Sequence, residues 1–338
     1  MRKKMHKEIW ENMRDNTKMK KVLPMAIPIS ETYQLPSFMM GIISQNKSVR
    51  NTLFNSYINI YISKNDLDKV TLEFVDAECE PYRLSGWGEM DLFYLSNIAK
   101  DKCLGFLKER IDQNNYLLLF EIDEYELSYS ECYKKEHFKH DTYIYGYDED
   151  YFNVMAYSHG HLQLLKVPEQ EIVEGLYSLL DNESHFCSFR VFHKARVPLS
   201  IKKILVQIDE YMAGENNAQG ETTGISVYSF FQQTLSETVQ NRTEGEILNQ
   251  RVIRMLWEHK KMIVFRTIYL AERIDSISAL LPSAKKIEQQ GEMVRILIMK
   301  YNLTQDYDIL NRVKKILNEM ECLERDYWSS LREILQKS

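Results

Sequence analysis

Apolar and polar positions follow two rhythms along the chain, and the change from one to the other divides it. Residues 116–122, 142–147, 152–157 and 161–167 are short runs rich in Tyr, Ile, Val and Leu, the composition of half-buried strands. Gly146-Tyr147-Asp148-Glu149-Asp150 and Ser158-His159-Gly160 punctuate them, and this turn chemistry predicts an antiparallel meander over 142–167. Pro168 opens a helix predicted through Leu180, and 186–192 reads as a last strand. Upstream, Leu92, Leu95, Ile98, Cys103, Phe106, Leu107 and Ile111 fall at helical spacing, which predicts one helix over 90–113, packed on the sheet. Residues 38–44 read as a buried helix, and 52–62 fits either type.

Beyond Pro198 the period lengthens to that of helices. Residues 226–240, 246–274, 283–301 and 304–335 each carry an apolar face. In the last, Ile309, Val313, Ile316, Met320, Leu323, Tyr327, Leu331 and Ile334 recur every three or four positions. The fold class expected is therefore α+β, with a small antiparallel sheet in an N-terminal domain at 22–198 and an all-α bundle of four or five helices at 199–338. The polar, glycine-containing stretch 214–224 is the expected flexible loop. Residues 22–29 carry apolar–proline steps and read as an extended lead-in.

A chain of 338 residues suits two domains of ordinary size. With 44% hydrophobic and 27% charged residues, it is expected to be globular throughout. The net charge of −6, with no basic stripe, argues against a nucleic-acid partner. No apolar run reaches the roughly 20 residues of a membrane span. The N-terminus lacks the apolar core of a secretory signal, and the five cysteines form no CxxC pair, so a cytoplasmic location is expected. No cofactor motif or metal set is read. Residues 1–21 hold eight Lys/Arg against three acids, a basic extension that reads as a membrane-surface or partner-binding arm, or else as a poorly ordered extension or a misassigned start before Met19.

The stretch with most chemistry runs from Tyr116 through Asp123-Glu124-Tyr125 to His137-Phe138-Lys139-His140-Asp141. A strand ends in acids, a polar crossing follows, and His140 opens the next strand, where a general base is held rigidly yet reachable. Four histidines, His137, His140, His159 and His161, could also be drawn as a metal cluster, although no acid or cysteine completes it.

This run, from Asp123-Glu124-Tyr125 to His140 and the Gly146-Tyr147-Asp148 turn, resembles the N-terminal domain of the butirosin biosynthesis H family. That family is papain-like and related to bacteriocin-processing cysteine peptidases. It also resembles proteins found in Firmicutes beside nonribosomal peptide synthetase clusters. The resemblance extends to Gly224-Ile225-Ser226-Val227-Tyr228 and Glu258-His259-Lys260. It implies a papain-like N-terminal domain in which His140 is the catalytic base. It implies an acyl- or aminoacyl-transferring, amide-forming or amide-cleaving enzyme of a natural product pathway. Alternatively, the protein is a non-catalytic accessory that docks a carrier protein or peptide product. The partners implied are an acyl or peptidyl carrier protein and a peptide or amine substrate.

The departure from the family is the nucleophile. Active relatives place a cysteine at the start of the first helix, and residues 33–41 here hold none. Ser37 is the nearest hydroxyl, Gln34 the position for an oxyanion donor, Asn153 the polar candidate to orient His140, and Asp123 the acid nearby. Cys132, eight residues before His140, is the candidate displaced nucleophile. Arg251, Arg254, Glu258, His259 and Lys260 read as a solvated helix face, and Lys285, Lys286, Arg295 and Lys300 as cations suited to an acidic carrier.

Overall fold

The computed structural model describes residues 20–64, 70–75, 86–215, 221–242, 245 and 247–338. Residues 1–19, most of the basic extension, and Cys79 lie outside them. In chain order the elements are strand β1 (Lys20–Val22), helices α1 (Gln34–Gln45) and α2 (Thr52–Asn55), and strands β2 (Ile60–Lys64), β3 (Val70–Phe74) and β4 (Gly88–Tyr94). Then come helix α3 (Lys100–Asp112), strands β5 (Tyr116–Asp123), β6 (Lys139–Asp148), β7 (Tyr151–Ser158) and β8 (His161–Pro168), helix α4 (Glu169–Ser178) and strand β9 (His185–Val191). The rest is helix α5 (Ile201–Ala213), the short strand β10 (Thr222–Thr223) and helices α6 (Val227–Asn241), α7 (Gln250–Ala271), α8 (Leu281–Thr304) and α9 (Tyr307–Lys337). The fold is mixed α+β, and its strand pairings are antiparallel.

The chain divides into two compact units, and the division is discontinuous. One unit holds described residues 20–27 and 86–196, and the other 28–75 and 197–338. The sequence pattern, by contrast, suggested a single cut near 198. Residues 28–64 and 70–75 join the helical unit through hydrogen bonds made to backbone carbonyls in both directions. Asn55 Nδ2 donates to Pro198 O at 2.8 Å, Gln207 Nε2 to Asn55 O at 3.0 Å, and Val197 N to Ser48 O at 2.8 Å. The short helix α2 leaves carbonyls without helical partners. The fully buried Arg266 donates to two carbonyls just beyond its end, Ser56 O at 2.6 Å and Tyr57 O at 3.0 Å.

In the first unit the strands run β4-β9-β5-β6-β7-β8, with β1 added beside β6. Leu107 and Ile111 of α3, with Ile172 and Leu176 of α4, bury against Leu117, Leu119, Ile144, Phe152 and Val154 of the sheet. Lys20 and Lys21, read from sequence as part of the extension, are strand and register with Asp148 and Tyr147. This close approach requires Gly146, because a Cβ there would sit 2.5 Å from Lys21 O. The single helix expected over 90–113 is corrected: Gly88–Tyr94 is a strand paired with β9, and the helix begins only at Lys100.

In the second unit, β10-β2-β3 form a small sheet, and α7, α8 and α9 pack side by side. Of the stripe expected on α9, Ile309, Val313, Met320, Tyr327 and Leu331 are buried, whereas Ile316, Leu323 and Ile334 are only partly so; Leu317 and Leu335 are buried instead, and one acid, Glu324, lies fully buried on the same face. The solvated face expected on α7 is corrected in the same way. Glu258, His259 and Lys260 are all completely buried, each with partners within the unit. Among the described residues no helix is long and apolar enough to cross a membrane.

Candidate functional site

Strand β5 ends in two adjacent acids that turn to different sides and meet two different histidines. A register shift between Leu119 and Ile122, with Glu121 at φ 56°, resets the strand just before its end. Asp123 then caps the turn at Glu124–Glu126 by accepting from Tyr125 N at 3.1 Å, and it accepts from Phe138 N at 3.2 Å. Its second oxygen lies 2.7 Å from His137 Nδ1. Burial pushes the Asp123 carboxyl up. The hydrogen bonds from His137, Ser178 and the two backbone N–H groups together outweigh it and hold the group below its ordinary value of 3.8.

Glu124, 7% exposed, places one oxygen 2.8 Å from His140 Nδ1 and accepts from Ser130 Oγ at 2.5 Å with the other. Its own backbone N–H donates to Phe138 O at 2.9 Å, which ties the acid to the strand that carries His140. A carboxylate can only accept, so this contact fixes the proton of a neutral His140 on Nδ1 and its basic lone pair on Nε2. The His140 side chain is 36% exposed, and its ring lies 5.5 Å from that of Phe138 and 6.5 Å from that of Tyr157. His137, half exposed, stacks on Tyr125 at 4.3 Å. The site therefore holds two carboxylate-oriented imidazoles where the interior strand β5 ends and β6 begins.

The residues expected from sequence to surround His140 are distributed otherwise. Asp123 orients His137, and Glu124 orients His140. Asn153 is opposite Gly146, six residues along β6 from His140, or about 20 Å at strand rise, beyond hydrogen-bond reach. Its Nδ2 is buried and has no hydrogen-bond partner. Ser37 and Gln34 belong to the second unit. There Ser37 is fully buried on α1, with its hydroxyl 2.6 Å from Tyr33 O and 2.9 Å from Ser30 O, so its proton is committed to backbone. Gln34 is the first residue of the same helix and is 8% exposed.

Cys132 lies in the crossing beside the site, its N–H donating to Ser130 Oγ at 3.0 Å and its thiol facing Glu136 at 3.6 Å. Desolvation raises the thiol, the Ser130 contact lowers it, and the Glu136 and Glu124 carboxylates raise it further, so the net shift is upward. Acids around a thiol oppose the thiolate that nucleophilic attack requires. Cys103 and Cys187 are buried core residues whose thiols burial pushes up to about 11. Among the described residues no group of three or more His, Cys, Asp or Glu could hold a metal ion, and His159 faces only Glu131 at 3.6 Å, on the surface.

Sequence reasoning named Glu124 without a role, weighed His137 only as a metal ligand, and passed over Ser130. A signal for two of them was present: adjacent acids at a strand end, answered by histidines three positions apart at the start of the next strand. No protein-family model matches the chain, and no curated protein matches it.

Proposed function

We propose that the first unit is an acid–base module for acyl or aminoacyl transfer on a papain-like scaffold, in which the acceptor supplies the nucleophile and no side chain is acylated. The observation that carries this reading is the Glu124–His140 contact at 2.8 Å, which leaves the base on Nε2 of a partly exposed imidazole. As an acceptor amine attacks the carbonyl of an acyl donor, such as a carrier-bound thioester, His140 Nε2 takes the amine's proton. Glu124 stabilises the imidazolium that results. Collapse of the tetrahedral adduct breaks the bond to the donor sulfur, and the imidazolium returns the proton to the departing thiolate. This removes the need for the absent cysteine.

The test is transfer from a loaded carrier protein to a peptide or amine by the full chain. His140→Gln should lower kcat by about 10²–10⁴, the usual worth of a general base. Glu124→Gln should lower kcat and move the acidic limb of the pH profile, where the imidazole loses its proton, to lower pH, because the imidazolium loses its counter-charge. Ser37→Ala should leave turnover unchanged. Equal turnover in wild type and His140→Gln would sink the assignment. Saturable carrier binding without turnover in the wild type would replace it with the accessory, non-catalytic role.

A further inference from the structure

Helix α8 buries one face and leaves a second row in solvent. That row runs Lys286, Gln289, Met293, Ile296, Lys300 and Leu303, with steps of three and four residues. Met293 is 46% exposed, Ile296 48% and Leu303 85%, an apolar line spanning ten residues, or about 15 Å of helix. Ile247, 69% exposed, stands at the same end. The Asn302 side chain clamps the backbone of the next residue, accepting from Leu248 N at 3.0 Å and donating to Leu248 O at 2.9 Å. A row of this period presents ridges to a single opposing helix. Two methionines, Met293 and Met299, give it an adaptable surface.

The charge carried by the helix itself selects the occupant, although Glu319 of α9 lines the surface beside Lys286. α8 carries four cations, Lys285, Lys286, Arg295 and Lys300, and two acids, Glu288 and Glu292, a balance of +2 in a chain of net −6. Glu288 is engaged inward, accepting from Trp257 Nε1 at 3.0 Å, while Lys285, Lys286 and Lys300 are exposed. A second copy of the chain would set lysines against lysines. An anionic membrane would meet a net-negative protein whose apolar line is narrow and carries no aromatic ring.

We infer that this face docks an amphipathic helix of an acidic partner protein, its apolar residues on Met293, Ile296 and Leu303 and its carboxylates on Lys286 and Lys300. The inference concerns the second unit and stands whether or not the first unit transfers acyl groups.

The test uses the full chain and two labelled 20-residue helical peptides with leucines at the same three–four spacing, one flanked by glutamates and one by lysines. Fluorescence anisotropy should show binding of the acidic peptide at least tenfold tighter than that of the lysine peptide, weakening as salt rises. Ile296→Glu should cost tenfold or more with an unchanged melting temperature. The charge-reversed variant K286E/K300E should exchange the preference and bind the lysine peptide more tightly. Equal binding of both peptides, or no effect of Ile296→Glu, would overturn the inference. So would Ile296-dependent binding to phosphatidylserine vesicles in place of the peptide, or an Ile296-dependent dimer on gel filtration.

Discussion

Replacing Lys260 tests the most consequential feature of the helical unit, a fully buried ion pair. Lys260 Nζ lies 2.5 Å from Glu324 Oε1, and both side chains are completely inaccessible. Tyr228 OH donates to the same carboxylate at 2.7 Å, Tyr211 OH donates to its other oxygen, and Lys260 Nζ lies 3.1 Å from His259 Nδ1. Burial pulls the Lys260 ammonium below its ordinary 10.5, against the pull of Glu324 upward. In Lys260→Met, Glu324 keeps a charge with only two phenol donors, and His259 loses its ammonium neighbour. Removing one member of a buried pair costs about 3–5 kcal/mol, because the other is left uncompensated. Glu324→Gln should cost about the same, since it strands the ammonium instead. The double variant Lys260→Met/Glu324→Gln keeps an acceptor for the tyrosines and no charge, so it should fall short of the summed singles by about 2–3 kcal/mol. Hydrogen exchange of the α7 and α9 amides, with urea unfolding as a second readout, measures the unit directly. Single variants within 1 kcal/mol of wild type, or a double variant equal to the sum, would show that the cluster is not an ion pair and refute the reasoning.

His259 predicts an acid limit. Burial, then the Lys260 charge, holds its imidazole well below the ordinary 6.5, against the opposing contact with Ile58 O. The unfolded chain therefore binds a proton that the folded one refuses, and stability should fall by about 1.4 kcal/mol per pH unit as pH drops below 6.5. A urea series at pH 5–7 should show this slope in the wild type and lack it in His259→Gln; equal slopes would reject the assignment. In the first unit, Gly146→Ala should release β1, because its Cβ meets Lys21 O at 2.5 Å and Val22 Cα at 2.7 Å, backbone atoms that cannot yield. Gly105→Ala, in mid-helix with nothing within 4 Å, should instead stabilise by about 0.5–1 kcal/mol. Thermal melts that moved in the same direction for both would contradict this.

What could be read from sequence depended on how far away each residue's partner lies. The meander β6-β7-β8 was legible, because its turns and its alternation are written within 30 residues. β4 was not, because it is an edge strand whose Leu92 and Tyr94 remain nearly half exposed, so its apolar positions do not mark one face. Leu92, Leu95 and Ile98 then matched a helical period that the chain does not use. Glu258, His259 and Lys260 look like a solvated face to any local reading. What buries them is Ser30 and Thr32 around Glu258, Ile58 O on His259, and Glu324 on Lys260, groups 64 to 228 positions away. The candidate site is an intermediate case. Its acids and histidines all fall within 18 residues, Asp123 to His140, so their presence was legible. Which acid takes which histidine was not, because the register shift before Ile122 and the cap at Asp123 decide it. The cap draws Asp123 inward to two backbone N–H groups and His137 and leaves Glu124 to face His140. A local backbone event thereby chose the partner of His140, and the contact expected for Asp123 fell to its neighbour.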